Sequence, residues 1–185
     1  MTKALSLLLA TTLAVGCTAS SDDVGVSGEN DVAGVVEGDT VCPPELVLDL
    51  DDYGTETLPA GEGQEFLVAN GLRDGVETTD TGLQYKVIQP GMENGVTPAP
   101  ADEIFAHYHG FKPNGDVFDS SYSRGTPLSG GATRWIKGWN EALADMKVCE
   151  ARTLYIPSNL AYGDSGRVSG NLVFHMQLLR VNRAG

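Results

Sequence analysis

From Leu83 onward the chain alternates apolar and polar side chains in short runs, the two-residue period of strands half buried in a sheet. Leu83 to Ile88 and Ile104 to Phe111 are rich in β-branched and aromatic residues, which fit a pleated, half-buried surface. Pro113-Asn114-Gly115-Asp116 is a tight-turn signal leading to a second run through Val117 and Phe118, so a hairpin is expected. Arg152 to Ile156 reads as a strand stopped by Pro157, and Leu172 to Val181 as the last one. In that last run Phe174, Met176 and Leu178 fall on one side and Val173, His175 and Gln177 on the other. Between the strands, Trp139, Ala142, Leu143 and Met146 recur at helical spacing within Ile136 to Met146, which predicts one apolar helix face starting just after Gly138. A short helix is also expected between Gly63 and Gly71, where Phe66, Leu67, Ala69 and Asn70 suit two turns. The pattern therefore predicts an α+β domain, an antiparallel β-sheet wrapped around one short amphipathic helix.

Residues 18–61 show neither period and mix Gly, Ser, Asp and Val with Pro43-Pro44, which predicts a flexible acidic tether. Within it, Leu46-Val47-Leu48 either adds a strand or docks on the domain. Charge divides the chain at the same place: residues 18 to 81 hold sixteen Asp and Glu against Arg73 alone, whereas residues 82 to 185 hold nine acids and ten bases. The acidic segment repels phosphate backbones and no Lys/Arg stripe offsets it, so nucleic acid is excluded as a partner. A chain of 185 residues, 41% of them hydrophobic, can bury one core of about a hundred residues, too little for a two-domain dinucleotide enzyme or a double-barrel protease.

Residues 1–17 read as an export signal: Lys3 is the sole early charge, Ala4 to Val15 is apolar, and small residues precede Cys17. The apolar stretch is too short for a permanent membrane helix. Val15-Gly16-Cys17 resembles the lipobox of bacterial lipoproteins, although Ala14 stands where Leu is usual; a plain secretory signal is the other reading. With Cys17 carrying lipid, Cys42 and Cys149 remain as an even pair in an oxidising compartment, where either a disulfide or two separate thiols is open.

Residues 82–183 carry motifs in a recognisable order: Gly82-Leu83-Gln84-Tyr85-Lys86-Val87, Tyr108-His109-Gly110, Gly115-Asp116-Val117-Phe118-Asp119-Ser120-Ser121, Ile136-Lys137-Gly138-Trp139, Ile156-Pro157, Ala161-Tyr162-Gly163 and Leu172-Val173-Phe174. In this order they resemble an FKBP-type peptidyl-prolyl isomerase domain. Phe66 to Gln84, including most of residues 62–81, is similar to the helical connector before that domain in Mip-type bacterial members, which are envelope proteins. Residues 18–61 lack a counterpart of their long dimerising helix, so a monomer is expected. The resemblance, with the lipobox, implies a lipoprotein anchored to the bacterial cell envelope and acting on proline-containing polypeptides. Thr18 stands where some bacteria use an aspartate to retain lipoproteins at the inner membrane, which points to the outer membrane, facing the periplasm or the cell surface.

Rotation about an X–Pro bond is slowed by amide resonance, with a barrier of about 18–20 kcal/mol. No nucleophile, cofactor or metal is required. A water-poor pocket favours the twisted amide, whose charge separation is smaller, and fixed donors can bind that form more tightly. By resemblance Trp139 forms the floor beneath the prolyl ring and Tyr108, Phe118 and Phe174 its walls, while Ile136 adds apolar contact and a backbone amide for a substrate carbonyl. Tyr162 donates its hydroxyl to the peptide, and Asp119 orients the tyrosine side or polarises the surroundings. Trp135 stands where the family has a small aliphatic residue, and Leu128 at a position often aromatic. Taken singly, such residues are more often ordinary core; their order is what assigns them. The family's longer loop after Ala161-Tyr162-Gly163 is reduced here to Asp164 to Asn171, which shortens the cover over the site and opens a second reading, a catalytically weak proline-binding chaperone. Two other constellations carry less: Gly163-Asp164-Ser165-Gly166 is followed by Arg167 rather than a glycine, and His107 with His109 lacks a third metal ligand.

Overall fold

In the computed structural model, which describes residue 38, residues 40–166 and residues 168–185, seven strands join into one sheet through antiparallel pairs. In chain order they are β1 (Glu77–Thr78), β2 (Gln84–Gln89), β3 (Glu103–Phe111), β4 (Val117–Ser120), β5 (Leu128–Gly131), β6 (Ala151–Ile156) and β7 (Leu172–Asn182), with helices α1 (Gln64–Asn70) and α2 (Lys137–Leu143). The spatial order is β1-β2-β6-β7-β3-β4, and β5 pairs with the first half of β3. The signal segment and Cys17 lie outside the described residues, as does most of the segment before Thr40.

The expected strands and hairpin are present within a residue or two. Val117 pairs with Phe111 across the Asn114-Gly115 turn, where Gly115 takes the left-handed backbone that such a turn requires. Helix α2 begins at Lys137, before Gly138, and ends at Leu143; Met146 lies past its end but stays fully buried. Two turns are marginal as an isolated helix, so α2 owes its existence to packing. Its Trp139, Ala142 and Leu143 sink into the core against Ile104, Leu154, Met176 and Leu178 of the sheet. Burying each large apolar side chain contributes about 1.5–3 kcal/mol.

The tether expected over residues 18–61 does not extend past Thr40 in the structure. From there the chain runs as a strap over the face of the sheet opposite α2. Val41 bridges to Arg180, Cys42 donates its N–H to the Leu179 carbonyl at 2.7 Å, and a disulfide joins Cys42 to Cys149, selecting one of the two states left open by the sequence. Leu46-Val47-Leu48 docks without becoming a strand: the buried Gln177 amide donates to the Leu46 carbonyl at 2.7 Å and accepts the Leu48 N–H at 2.8 Å. Tyr53 stacks on His175 at 4.5 Å between ring centroids. Glu56 closes the strap, accepting from the Tyr155 hydroxyl at 2.7 Å and pairing with Arg73 at 2.9 Å and Lys86 at 2.6 Å. Strand β6 is buried at every position because strap and α1 cover one face and α2 the other. Polar composition hid this packing, since long-range partners such as Gln177 leave no period in the strap itself.

Candidate active site

The motif residues converge on the α2 side of the sheet. Alternation along β3 turns Tyr108 toward α2 and His107 and His109 away from it. Alternation along β7 does the same for Phe174 and His175. The chain's three histidines thus sit under or beside the strap, where His107 pairs with the Ser121 hydroxyl at 2.9 Å and stacks on Tyr122. Burial holds all three imidazoles below their ordinary pKa, that of His175 at about 4.

All nine side chains singled out above line one cleft of about 480 Å³, together with Arg134. Its floor is Trp139, 4% exposed, which meets Tyr108 and Phe174 edge-on with ring centroids 5.1 Å apart in both pairs. Phe118 meets Phe174 edge-on at 5.4 Å. These T-shaped contacts match the charge distribution of aromatic faces and edges and fix the rings as walls. Gly110 makes the arrangement feasible: a Cβ there would lie 2.7 Å from Phe174 Cε1 and 2.8 Å from Phe118 Cζ. The indole N–H of Trp139 is buried without an acceptor among the described residues.

On the polar side, the Tyr108 hydroxyl donates to the Asp119 carboxylate, and Arg124 pairs with Asp119 while donating to the Tyr108 oxygen at 2.7 Å. Burial alone would raise the Asp119 pKa; the Tyr108 hydroxyl and Arg124 outweigh it and hold the carboxyl below its usual value. Burial, reinforced by the bond to Asp119, raises the phenol of Tyr108. The tyrosine that Asp119 orients is therefore Tyr108, and the carboxylate reaches the site already neutralised. Ser121 fixes Tyr108 from behind, its hydroxyl accepting the Tyr108 N–H at 2.7 Å and donating to the Tyr108 carbonyl at 3.1 Å. Tyr162 stands opposite, 57% exposed, after the 3-10 turn Ser158–Leu160.

Arg134, Trp135 and Ile136 form the remaining wall. The Asn140 side chain accepts the Trp135 N–H at 3.1 Å and donates to the carbonyls of Thr133 at 3.1 Å and Trp135 at 3.2 Å, so α2 clamps the loop that precedes it. Ile136, at the α2 N-cap, has extended backbone, and its N–H donates to no protein acceptor among the described residues. The Trp135 ring lies against β5: a Cβ on Gly130 would come within 2.8 Å of its Cζ2. Trp135 thereby fills space beside Leu128 and extends the rim. The segment after Tyr162 is closed by a bond from the Gly170 N–H to the Gly163 carbonyl at 2.9 Å, and Ser165, Gly166 and Val168 frame an open depression continuous with Phe118, Asp119 and Tyr162.

Sequence reasoning missed Arg124, Arg134 and Asn140. None belongs to an apolar pattern: Arg124 and Asn140 act through the residues they hold in place, and Arg134 stands on the lining itself. Among the described residues no ionisable nucleophile and base face each other across the cleft; its chemistry is that of an apolar hollow with a few fixed donors.

Comparisons with known proteins agree with this geometry. A family model described as FKBP-type peptidyl-prolyl cis-trans isomerase matches residues 94–179, and one described as the domain amino terminal to FKBP-type peptidyl-prolyl isomerase matches residues 56–87. The peptidyl-prolyl cis-trans isomerase Mip of Coxiella burnetii is 42% identical over 129 residues, covering 67% of this chain and 55% of that protein. The outer membrane protein MIP of Legionella longbeachae is 34% identical over 128 residues, covering 66% and 54%. The chain thus spans about half the length of these curated relatives. Among solved structures, FkpA from Escherichia coli superposes with a TM-score of 0.62 at 37% identity, covering 66% of this chain and 59% of that one. AtFKBP13 superposes with a TM-score of 0.51 at 33% identity, covering 56% and 95%.

Proposed function

This chain belongs to the FKBP-type peptidyl-prolyl isomerase family, and from that premise we propose that it catalyses cis–trans isomerisation of X–Pro bonds in exported polypeptides. The observation that carries the reading is the aromatic hollow over Trp139 with the Tyr108, Asp119 and Arg124 set on one side and the Ile136 N–H on the other. A proline ring seated on the indole leaves the preceding amide in an apolar surround. That surround favours the twisted form over the planar, more charge-separated one. The Ile136 N–H and the Tyr162 hydroxyl are the donors for the flanking peptide carbonyls. Asp119, with Arg124 at its back, keeps the Tyr108 ring upright against the proline.

The same reading places lipid on Cys17, with the chain anchored as a monomer in the bacterial envelope and the acidic segment before Thr40 as its tether. The Val15-Gly16-Cys17 junction supports this, as does the similarity to an outer membrane protein of Legionella longbeachae. The disulfide between Cys42 and Cys149 suits an exported protein. Globomycin treatment of the expressing cell, followed by mass measurement of the mature protein, tests the anchor.

The activity is tested by a protease-coupled and a protease-free isomerisation assay, with Tyr162→Phe and Asp119→Ala as controls. Turnover of a proline tetrapeptide above background, lowered by both substitutions, is expected. The open depression at Ser165, Gly166 and Val168 favours a second reading, a chaperone that grips proline segments with little catalysis. Absence of turnover, combined with suppressed aggregation of a denatured client, would replace the first reading by the second.

A further inference from the structure

Among the described residues the cleft is lined by two charged side chains, Asp119 and Arg134. Asp119 is neutralised by Arg124 and by the Tyr108 hydroxyl. Arg134 has no carboxylate partner among the described residues, although acids outnumber bases 25 to 12 in the chain. The cleft therefore carries one uncompensated positive charge, and it stands on the rim beside Trp135.

Arg134 is exposed, but its backbone is fixed. Its backbone N–H donates to the Gly131 carbonyl at 3.1 Å, and the Asn140 clamp fixes the residues on either side. Its stem lies along the end of β5, where a Cβ on Gly131 would sit 3.1 Å from Cδ and 3.2 Å from Cγ. A stem packed on backbone with its head at a pocket mouth is the posture in which arginine presents its planar donor fork to a ligand. The complement of that fork is a carboxylate, bound through paired N–H donors.

We propose that Arg134 gives this cleft a preference for proline segments that carry an aspartate or glutamate beside the proline. The proposal rests on the isomerase reading for its substrate class, while the binding it describes needs no catalysis. Arg134 is a specificity residue here: it touches the side chain that flanks the proline, not the rotating bond. Because the head group is exposed, the preference is modest, about three- to fivefold in kcat/KM over the uncharged amide analogue at low salt, and it shrinks as salt is added.

Blocked, end-neutral tetrapeptides of the forms Ala-Xaa-Pro-Phe and Ala-Ala-Pro-Xaa, with Xaa as Glu, Gln or Lys, separate the possibilities. Isomerisation is read by NMR exchange and affinity by titration of tryptophan fluorescence. In the wild type, Glu should exceed Gln in at least one of the two frames; in Arg134→Gln the ratio should fall to one, and in Arg134→Glu the Lys peptide should lead. The ratio within each protein cancels any general loss of folding. Equal Glu and Gln values in both frames of the wild type, or a ratio that persists in Arg134→Gln, overturns the proposal while turnover keeps the isomerase reading intact. Charge discrimination in binding without turnover of any peptide does the reverse. Failure to bind any of the peptides removes both.

Discussion

The Tyr108 hydroxyl donates to the Asp119 carboxylate, so a wall of the hollow and the one acid on its lining form a single hydrogen-bonded unit. Arg124 completes it from outside the cleft, contacting both members. Tyr108→Phe removes both hydrogen bonds of the hydroxyl, each about 1 kcal/mol net, and should lower kcat/KM by at least about fivefold. Asp119→Ala should cost more, because it leaves the phenol and the guanidinium without their common acceptor. Steady-state kinetics on one proline tetrapeptide checks the order, and an unchanged rate in Tyr108→Phe would show that the unit does not set the geometry of the bound amide. Since Asp119 is held below the usual carboxylate range, its charge, and any activity that depends on it, should persist as pH falls through that range.

The contact between Trp135 and Gly130 predicts a compensating pair. Gly130→Ala drives a methyl into the indole, and such overpacking destabilises by about 1–3 kcal/mol. Trp135→Val empties the space and should restore most of that loss in the double variant. A double-mutant cycle from urea unfolding measures the coupling, and strictly additive effects would mean that the ring moves away freely.

The half-buried His175 ties stability to pH. Its pKa is pushed down to about 4, first by burial and then by the nearby His109 charge, with Glu56 opposing. The unfolded chain takes up a proton near pH 6.5 while the folded one does not, so stability is full above that pH and falls as pH drops toward 4. Between about pH 6.5 and pH 5 the loss from this one group is about 2 kcal/mol. His175→Gln should flatten the urea midpoint over this interval relative to the wild type. Glu56 acts lower down: pairing with Lys86, Tyr155 and Arg73 overcomes burial and holds it at about 2, so its contribution is present above about pH 4.5 and is lost as pH falls toward 2.

The bridge between Cys42 and Cys149 closes a long loop, with a sequence separation of 107 residues. Removing it should cost about 2–5 kcal/mol, chiefly through the freedom returned to the unfolded chain. The paired Cys42→Ser and Cys149→Ser variant, compared with the wild type by urea unfolding, gives the number. Limited proteolysis should then cut the strap at residues 43 to 58 before the sheet.

The strap shows where sequence patterning stops being informative. Alternation along β7 puts Gln177 on the face away from Phe174, where it lies, yet nothing in the local sequence says that this face is covered. Its amide is fully buried and takes its partners from Leu46, Leu48 and Cys149, the nearest of them 28 residues away in sequence. Periodicity reports on which side of its own strand a residue lies. It carries no information on what distant segment comes to rest there.

The chain's own order of residues determined the strands of the sheet from β2 onward, apart from β5, as well as helix α2 and the nine side chains of the hollow, because period-two and period-3.6 burial is written locally and the family motifs are contiguous. Tertiary structure alone decided that β3 also pairs with β5, that Cys42 meets Cys149, that Arg124 backs the Tyr108 and Asp119 unit, and that Arg134 stands at the rim without a carboxylate among the described residues. The first two depend on distances between residues far apart in the chain and the last two on how loops fold back on their neighbours, and neither is written in a local period.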